Sequence, residues 1–267
     1  MDKKIIYCCG DSHTAGGELA DDLLWPEQHP GFLSEDEIPL RDMREIQRWN
    51  AFRDRSLRLG EPVGWSAWQE HERRYAWPAR LETHGTAHVI NAARIGSSTE
   101  WITRQVISDV SALLRDHAAA EITVMVQPST AMRMQMHDRA QGWTSFQMAD
   151  AYGMDGHVHR WFNDNETDLS LVTRWLIAMI GMLSWLRSTG VDVLLIDSGQ
   201  LKHTRLLARD PSLQDLATSY ERLAKDCWFS QGMDTVAQDV HKSRCPDLHW
   251  TREVHDRFAE ALAQRLT

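Results

Sequence analysis

Two short segments, one near each end of the chain, contain residue types that can carry out nucleophilic chemistry. Gly10-Asp11-Ser12 follows an apolar run, Ile5–Cys9, and the pair Asp247 and His249 precedes the last helical pattern. A serine hydroxyl becomes a nucleophile when an imidazole accepts its proton, and a carboxylate on the second ring nitrogen holds the required tautomer. The spacing therefore predicts Ser12 as the nucleophile, His249 as the base and Asp247 as the acid.

Each segment also has a purely structural interpretation. Gly10-Asp11-Ser12 is compatible with a turn followed by an N-capped helix, and His249 with a polar loop residue beside a helix start. Asp155 and His157 have the same spacing as the C-terminal pair. We rank them lower because they lie in a loop after the third predicted strand. The place of Ser12 directly after the first strand favours the chemical interpretation.

Strand-like apolar runs alternate with helical patterns along the chain. The strands are predicted at residues 5–9, 88–93, 122–126, 191–197 and, weakly, 235–240. This alternation indicates a three-layer α/β/α fold with a mostly parallel five-stranded sheet. Parallel strands end at the same edge of a sheet, so Ser12 and His249 are expected to meet there. The turn Gly96-Ser97-Ser98 is predicted to supply one helix N-cap, and Asp168, Asp210 and Thr251 are predicted to be others.

A single domain over residues 1–267 is expected, with two irregular segments. Residues 25–75 are rich in Trp, Arg and Glu and read as an insertion with short helices. Its tryptophans either form a satellite core or make a wall or lid beside Ser12; they are Trp25, Trp49, Trp65 and Trp68. The second segment, residues 132–165, is predicted to be a loop long enough to suggest function.

Composition limits the classes of partner. The net charge is −9 and no basic block is present, which argues against nucleic-acid and anionic-membrane partners. No run approaches the length needed to span a bilayer, and the apolar run after Lys3 and Lys4 is too short for a secretory signal. A cytoplasmic protein is expected. The oligomeric state is left open.

The cysteines and histidines do not predict a metal site. Cys8, Cys9, Cys227 and Cys245 lack Cys-x-x-Cys spacing and are expected to be reduced thiols, with Cys8 and Cys9 on opposite faces of a strand. His157 and His159 would need a third convergent ligand, and none is identified. No metal and no cofactor is therefore predicted.

Several blocks together resemble the SGNH/GDSL hydrolase superfamily of flavodoxin-like esterases. The blocks are Gly10-Asp11-Ser12-x-Thr14-x-Gly16, Ala76-Trp77-Pro78-Ala79-x-Leu81, Val89–Gly96 and Asp247-x-His249. The resemblance implies a flavodoxin-like fold, Ser12 as nucleophile and His249 as base. It also implies that the backbone N–H groups of Ser12 and Gly96 form an oxyanion hole. Asn91 is expected to be a structural residue at a strand end, and Asp11 to hold the turn.

The chain departs from the superfamily pattern in two places. The third block is usually Gly-x-Asn-Asp, but here strand three ends in Gln127-Pro128-Ser129-Thr130. Either Ser129 or Gln127 replaces the Asn donor, or the donor is missing, which typically costs about 100- to 1,000-fold in rate. The acid usually stands three residues before the histidine, where this chain has Pro246; Asp247 is one residue nearer.

The leading hypothesis is a serine esterase or deacylase that acts on small acyl esters, including acetyl groups on carbohydrate. His13 and Trp250, the neighbours of Ser12 and His249, are assigned to substrate binding, and the tryptophans of the insertion could stack on sugar rings. One alternative is a binding or structural module in which catalysis was lost with the third block. Another is an acyltransferase that uses the same triad.

Overall fold

A parallel four-stranded sheet forms the centre of the molecule. The structure is a computed structural model, and it describes residues 4–34, 36–38, 43–85, 87–138, 142–147, 166–246 and 248–266. The strands are β1 (Ile5–Cys9), β2 (His88–Asn91), β3 (Ile122–Val126), β4 (Arg133–Asp138), β5 (Gly142–Gln147) and β6 (Asp192–Leu195). The helices are α1 (Ser12–Ala15), α2 (Asp21–Leu24), α3 (Met43–Leu59), α4 (Trp65–Tyr75), α5 (Trp77–His84), α6 (Thr99–Asp116), α7 (Asp168–Thr189), α8 (Lys202–Leu207), α9 (Gln214–Ala224), α10 (Met233–Ala237) and α11 (Arg252–Leu266).

The order of the main sheet is β2-β1-β3-β6, and every pairing is parallel. Tyr7 at the middle of β1 pairs with Ile90 of β2 on one side and Val124 of β3 on the other. Residues 5–9 and 122–126 are all buried, as expected for strands covered on both faces. The predicted α/β/α class with a parallel sheet is confirmed, and the strand order is that of a flavodoxin-like fold.

The fifth strand was predicted in the wrong place. Residues 233–237 form helix α10, because the apolar positions Met233, Val236, Ala237 and Val240 follow the i, i+3, i+4, i+7 spacing of a helix. The sheet is extended instead by a single parallel bridge between Leu195 and Trp228. The Leu195 N–H donates to the carbonyl of Cys227 at 2.7 Å, and the Phe229 N–H donates to the carbonyl of Leu195 at 2.9 Å.

Helices cover both faces of the sheet. Cys9 packs with the apolar stripe of α6 and with α7, whereas Cys8 packs with Trp77 of α5 and Phe258 of α11. The prediction that the two neighbouring cysteines point to opposite faces is confirmed. All four cysteines are buried and free.

Helix α7 is long and apolar enough to cross a membrane, contrary to the expectation that no run approaches that length. Eight of its residues are buried, and they include Leu176, Met179 and Leu183 in the core beside β3. The core helix of a globular domain meets the same criterion of length and composition. The packing of α7 is that of such a helix.

Helices α6 and α7 and the 3₁₀ turn before α9 each begin at a side-chain cap. Ser98, the last residue of the turn predicted to supply a cap, caps α6 by accepting from the Trp101 N–H at 3.3 Å. Asp210 accepts from the Ser212 N–H at 2.9 Å ahead of a 3₁₀ turn that leads into α9, also as predicted. The cap of α7 was placed one residue late, because Thr167, not Asp168, accepts from the Ser170 N–H at 3.1 Å.

Helices α3 and α4 lie in the Trp-rich segment, where fragments of helical period occur in the sequence. Trp25, Trp49 and Trp68 are buried together with Leu57 in a cluster separate from the two faces of the sheet, whereas Trp65 is 42% exposed. The satellite-core interpretation is therefore correct for three of the four tryptophans.

The segment predicted as a loop over residues 132–165 contains secondary structure. Strands β4 and β5 form an antiparallel pair, in which Met134 faces Phe146. Met134 is 2% exposed, while its neighbours Arg133 and Gln135 are half-buried. Asp155, His157 and His159 lie outside the described residues.

Candidate active site

The turn after β1 places Ser12 at the carboxyl edge of the sheet. Gly10 is required because a Cβ there would lie 2.4 Å from Thr14 Oγ1. Asp11 caps the short helix α1, with its Oδ1 accepting from the His13 N–H at 3.1 Å. Asp11 therefore holds the turn, as predicted. Ser12 is 3% exposed and begins the helix.

The imidazole of His249 lies directly against Ser12. His249 Nε2 is 2.7 Å from Ser12 Oγ, a hydrogen-bond distance between residues 237 positions apart. The chain reaches this position from a turn in which the Cys245 N–H donates to the carbonyl of His249 at 2.7 Å. Parallel strands thus bring the two predicted residues together at one edge of the sheet.

A carboxylate that the sequence did not reveal faces the other ring nitrogen. Glu18 Oε2 is 3.5 Å from His249 Nδ1, and the Glu18 side chain is 1% exposed. Glu18 has φ of 66°, the left-handed region that L-residues adopt at a cost of roughly 1–2 kcal/mol. Such backbone strain is concentrated at functional sites. Asp247, the acid predicted from sequence, lies outside the described residues.

The Trp-rich insertion holds Glu18 in place. Glu18 Oε1 accepts hydrogen bonds from Trp49 Nε1 at 3.1 Å and from Arg53 Nη1 at 3.0 Å. The same Arg53 nitrogen is 3.2 Å from Asp21 Oδ2, and Trp68 Nε1 donates to Asp21 Oδ1 at 2.8 Å. Charge-assisted bonds of this kind orient a buried carboxylate.

A third buried carboxyl group lies under this cluster. Glu72 is fully buried, and its Oε2 accepts from the Ala20 N–H at 3.0 Å. Burial raises the pKa of the Glu72 carboxyl well above its usual value, and the nearby Asp21 carboxylate adds to this shift. Burial also raises the pKa of Asp21, an effect that the charge of Arg53 opposes. The positive charge of Arg53 is thus shared between Glu18 and Asp21, while Glu72 favours its protonated form.

The resemblance assigned the oxyanion hole to the backbone N–H groups of Ser12 and Gly96. Within the described chain, neither the Ser12 N–H nor the Gly96 N–H is hydrogen-bonded to a protein acceptor. Gly96 has φ of 77°, a conformation that glycine adopts without strain. Ser97, the next residue, ties this turn to the nucleophile segment, because its Oγ donates to the carbonyl of Gly10 at 3.0 Å.

The side chain of Gln127 is not available as the alternative oxyanion donor. Its Nε2 donates to Asp11 Oδ1 at 2.9 Å and to Ser198 Oγ at 3.2 Å, so both amide hydrogens are used. Its Oε1 accepts from Thr14 Oγ1 at 2.8 Å. The prediction of Gln127 as the alternative oxyanion donor was wrong, because its side-chain amide is used to hold the turn that contains Ser12.

Two other polar residues next to the turn have distinct surroundings. Ser129, at the position of the superfamily asparagine, is buried, and its Oγ accepts from Arg133 Nη1 at 3.3 Å. Its assignment as an oxyanion donor stays a prediction. Asn91 is structural, as expected, since its Nδ2 donates to the carbonyl of Thr14 at 3.1 Å and its Oδ1 accepts from the Ala93 N–H.

The two residues assigned to substrate binding are both buried. Trp250 is 1% exposed, and its Nε1 donates to the carbonyl of Ser198 at 3.0 Å, so its role is in packing and the assignment was wrong. His13 is 2% exposed; its ring is 5.0 Å from that of His249, and its Nε2 is 2.6 Å from Gln200 Nε2. Burial lowers the pKa of His13 well below its ordinary value, and the proximity of His249 lowers it further. His13 is therefore a neutral neighbour of the pair.

Among the residues that the structure describes, no group of three or more His, Cys, Asp or Glu side chains converges as a metal site. His157 and His159, which the sequence analysis considered, are outside this part of the chain.

No protein-family model matches the chain, and no curated protein matches it. Solved structures are similar over nearly its full length. A G-D-S-L family lipolytic protein from Desulfitobacterium hafniense DCB-2 is 11% identical, with 98% of this chain and 99% of that chain covered and a TM-score of 0.47. A G-D-S-L family protein from Veillonella parvula DSM 2008 is 9% identical, with 97% and 96% covered and a TM-score of 0.46.

A catalytic mutant of an acetylxylan esterase from Geobacillus stearothermophilus is 9% identical, with 100% of this chain and 95% of that chain covered and a TM-score of 0.47. The structures that resemble this chain thus include lipolytic proteins of the group named for the G-D-S-L motif, which it carries in part as Gly10-Asp11-Ser12. The fold and site define the class: a flavodoxin-like α/β protein with a serine–histidine pair at the carboxyl edge of its sheet.

Proposed function

We propose that this protein is a serine esterase or deacylase that hydrolyses small acyl esters through an acyl-enzyme on Ser12. The observation that carries the proposal is the 2.7 Å separation between Ser12 Oγ and His249 Nε2. A nucleophile and a base within hydrogen-bond distance, with a carboxylate on the far side of the imidazole, are the arrangement of serine hydrolases on several unrelated folds.

Acylation begins when Ser12 Oγ attacks the ester carbonyl and passes its proton to His249 Nε2. The bond from Oγ to the carbonyl carbon forms, and the carbonyl oxygen becomes an oxyanion that the Ser12 and Gly96 N–H groups receive. Collapse of this intermediate breaks the bond to the alkoxy oxygen. His249 returns the proton to that oxygen, and the alcohol leaves.

Deacylation repeats these steps with water as the nucleophile. His249 accepts a proton from water, the hydroxide oxygen bonds to the acyl carbon, and the bond to Ser12 Oγ breaks as the proton returns to the serine. Glu18 carries out the acid's role, because its buried carboxylate holds the Nδ1–H tautomer and stabilises the imidazolium that forms in each half-reaction.

The burial of the nucleophile favours a short acyl group. Ser12 is 3% exposed, so little of its side chain is open to a bulky acyl group. An acetyl ester fits this restriction, and the acetylated carbohydrate proposed from sequence remains one class to test. The insertion offers little stacking surface for such a carbohydrate, because Trp25, Trp49 and Trp68 are buried and cannot stack on a sugar ring. Of the four tryptophans named in the insertion, only Trp65 is exposed.

The experiment combines covalent labelling with turnover. A fluorophosphonate probe is expected to label the wild-type protein at Ser12, and p-nitrophenyl acetate and acetylated xylosides provide the substrates. Ser12→Ala is expected to abolish labelling and turnover, whereas Ser66→Ala, at an exposed serine of α4, serves as the matched control and retains both.

Wild-type protein that neither reacts with the probe nor hydrolyses any ester of the panel would contradict the proposal and favour a binding module. Product analysis with added acceptor alcohols distinguishes hydrolysis from acyl transfer. Free acid as the main product supports an esterase, whereas a new ester as the main product identifies an acyltransferase with the same acyl-enzyme.

A further inference from the structure

The first turn after β3 and the start of β4 bring a guanidinium to the predicted oxyanion hole. Arg133 Nη1 is 3.3 Å from the carbonyl oxygen of Ser97, 3.3 Å from Ser129 Oγ and 3.6 Å from Asp11 Oδ2. The Arg133 side chain is 13% exposed. Its position is therefore defined by three separate segments of the chain.

Each of these contacts is next to a group that the oxyanion requires. Asp11 precedes Ser12, and Ser97 follows Gly96 in the chain. Ser129 occupies the position where the superfamily has its donating asparagine, and its carbonyl is fixed by hydrogen bonds from Thr99 Oγ1 at 2.9 Å and Trp175 Nε1 at 2.8 Å. The guanidinium thus lies against the side chain of Ser129 at the third-block position.

From this placement we infer that Arg133 replaces the missing third donor by directing an N–H group at the oxyanion on the acyl carbon. The inference rests on the proposed esterase function. A guanidinium is always charged and carries five N–H donors in a rigid plane, so it can contact several acceptors at once. A positive charge in a water-poor site stabilises a developing anion more than a neutral amide does.

Arg133 also faces Asp11, whose buried Oδ2 has no hydrogen-bond partner among the described residues. Asp11 Oδ1 already accepts from the His13 N–H and from Gln127 Nε2. The ion pair from Asp11 Oδ2 to Nη1 of the guanidinium, at 3.6 Å, is longer than the 3.3 Å contacts of the same nitrogen with Ser97 and Ser129. The shorter contacts direct the guanidinium toward the Gly96 turn and the third block.

The test measures whether Arg133 acts in the transition state. In Arg133→Met, kcat for p-nitrophenyl acetate is expected to fall by about 100- to 1,000-fold, with KM within about threefold of wild type. The Ki of a trifluoromethyl ketone, which forms an oxyanion adduct on Ser12, is expected to rise in parallel with the loss in kcat/KM. Arg115→Met, at an exposed arginine of α6, is the matched control and is expected to leave all three values unchanged.

A purely structural role would lower the unfolding temperature without this parallel loss. If Arg133→Met does not fold, Arg133→Lys decides by the same two measurements, because its ammonium retains the charge near Asp11 but lacks the planar donors. Recovery of kcat in Arg133→Ala by added methylguanidinium supports the inference further. If the folded Arg133 variants keep the kcat of the wild-type protein while Ser12→Ala is inactive, only the proposed role of Arg133 is overturned. If the wild-type protein itself is inactive, the esterase proposal is overturned.

Discussion

The Trp49 indole donates a 3.1 Å hydrogen bond to Glu18, whose other carboxylate oxygen is 3.5 Å from His249 Nδ1. Trp49 belongs to α3 of the insertion, and its indole ring is 5% exposed in the satellite core. The insertion therefore contacts the proposed acid directly, although none of its own residues needs to touch a substrate.

Glu18→Gln is expected to lower kcat by roughly 10,000-fold, the loss seen when a triad acid becomes an amide. The amide oxygen would remain with Trp49 and Arg53, which are both donors, so the amide nitrogen would face His249 Nδ1 and favour the wrong tautomer. Steady-state kinetics on p-nitrophenyl acetate measure this loss. Asp247→Asn is the paired variant and is expected to stay near wild type. The reverse pattern would identify Asp247 as the acid.

Trp49→Phe removes one donor to Glu18 and leaves part of a buried carboxylate unpaired. We expect the free energy of unfolding to fall by about 1–3 kcal/mol. A decrease in kcat is also expected, because Glu18 is held less firmly. Urea unfolding and kinetics on the same samples give both values. Trp65→Phe, at the exposed tryptophan of the insertion, is expected to change neither. Equal effects of the two substitutions would argue against a specific role for the Trp49 indole.

Gly17→Ala places a methyl group in tight contact with both the nucleophile residue and the base. The added Cβ would lie 3.2 Å from Ser12 Cβ and 3.3 Å from His249 Nε2, so one of them must move. Since a displacement of about 1 Å can cost about 100-fold in rate, kcat is expected to fall by roughly tenfold or more. Gly181→Ala, in the middle of α7 with no atom within 4 Å of the added Cβ, should retain full activity. Unchanged kinetics in Gly17→Ala would show that the Ser12–His249 contact is not used.

His255 is expected to make the protein less stable in acid. It is 1% exposed, and its Nδ1 accepts from the Trp77 N–H at 3.0 Å, which requires the neutral ring. Burial, with smaller contributions from His249 and Arg80, lowers the pKa of His255 to about 3 in the folded protein. The unfolded chain therefore binds the proton first, and stability falls as the pH falls from about 6.5 toward 3, by up to about 1.4 kcal/mol per pH unit.

His255→Gln keeps a hydrogen-bond acceptor near the Trp77 N–H but cannot bind this proton. Chemical unfolding of both proteins between pH 7 and pH 4 measures the difference in slope, with a shallower decline expected for the variant. His84→Gln, at an exposed histidine of α5, is the control and is expected to follow the wild type. Parallel curves for His255→Gln and wild type would contradict the prediction.

Local patterns predicted most of what positions Ser12. A fully apolar strand followed by a glycine and two small polar residues specifies a buried strand and a capped turn from neighbouring residues alone, and Asp11 acts as that pattern predicts. The cap at Ser98 is equally local. The strand predicted at residues 235–240 could also have been corrected from local sequence. The apolar residues at 233, 236, 237 and 240 follow the period of a helix and not the alternation of a strand.

Glu18 and Arg133 were missed for a different reason. The position of Glu18 depends on a positive φ and on hydrogen-bond partners 31 and 35 residues away in the chain. Neither feature produces a recognisable pattern in the sequence around Glu18. Arg133 was assigned to a loop, and its contacts with Ser97 and Asp11 arise only when three segments meet in space. Long-range hydrogen bonds of buried charges have no periodicity from which to predict them.

The hydrogen bonds from α3 and α4 to the segment that follows α1 bear on any attempt to shorten this scaffold. A trimmed chain without residues 43–75 would keep the sheet, Ser12 and His249, yet it would lose Trp49, Arg53 and Trp68. Glu18 and Asp21 would then be two neighbouring carboxylates without their cation. Their mutual repulsion would push the acid out toward solvent, so a minimised version needs a replacement guanidinium before it can be expected to work.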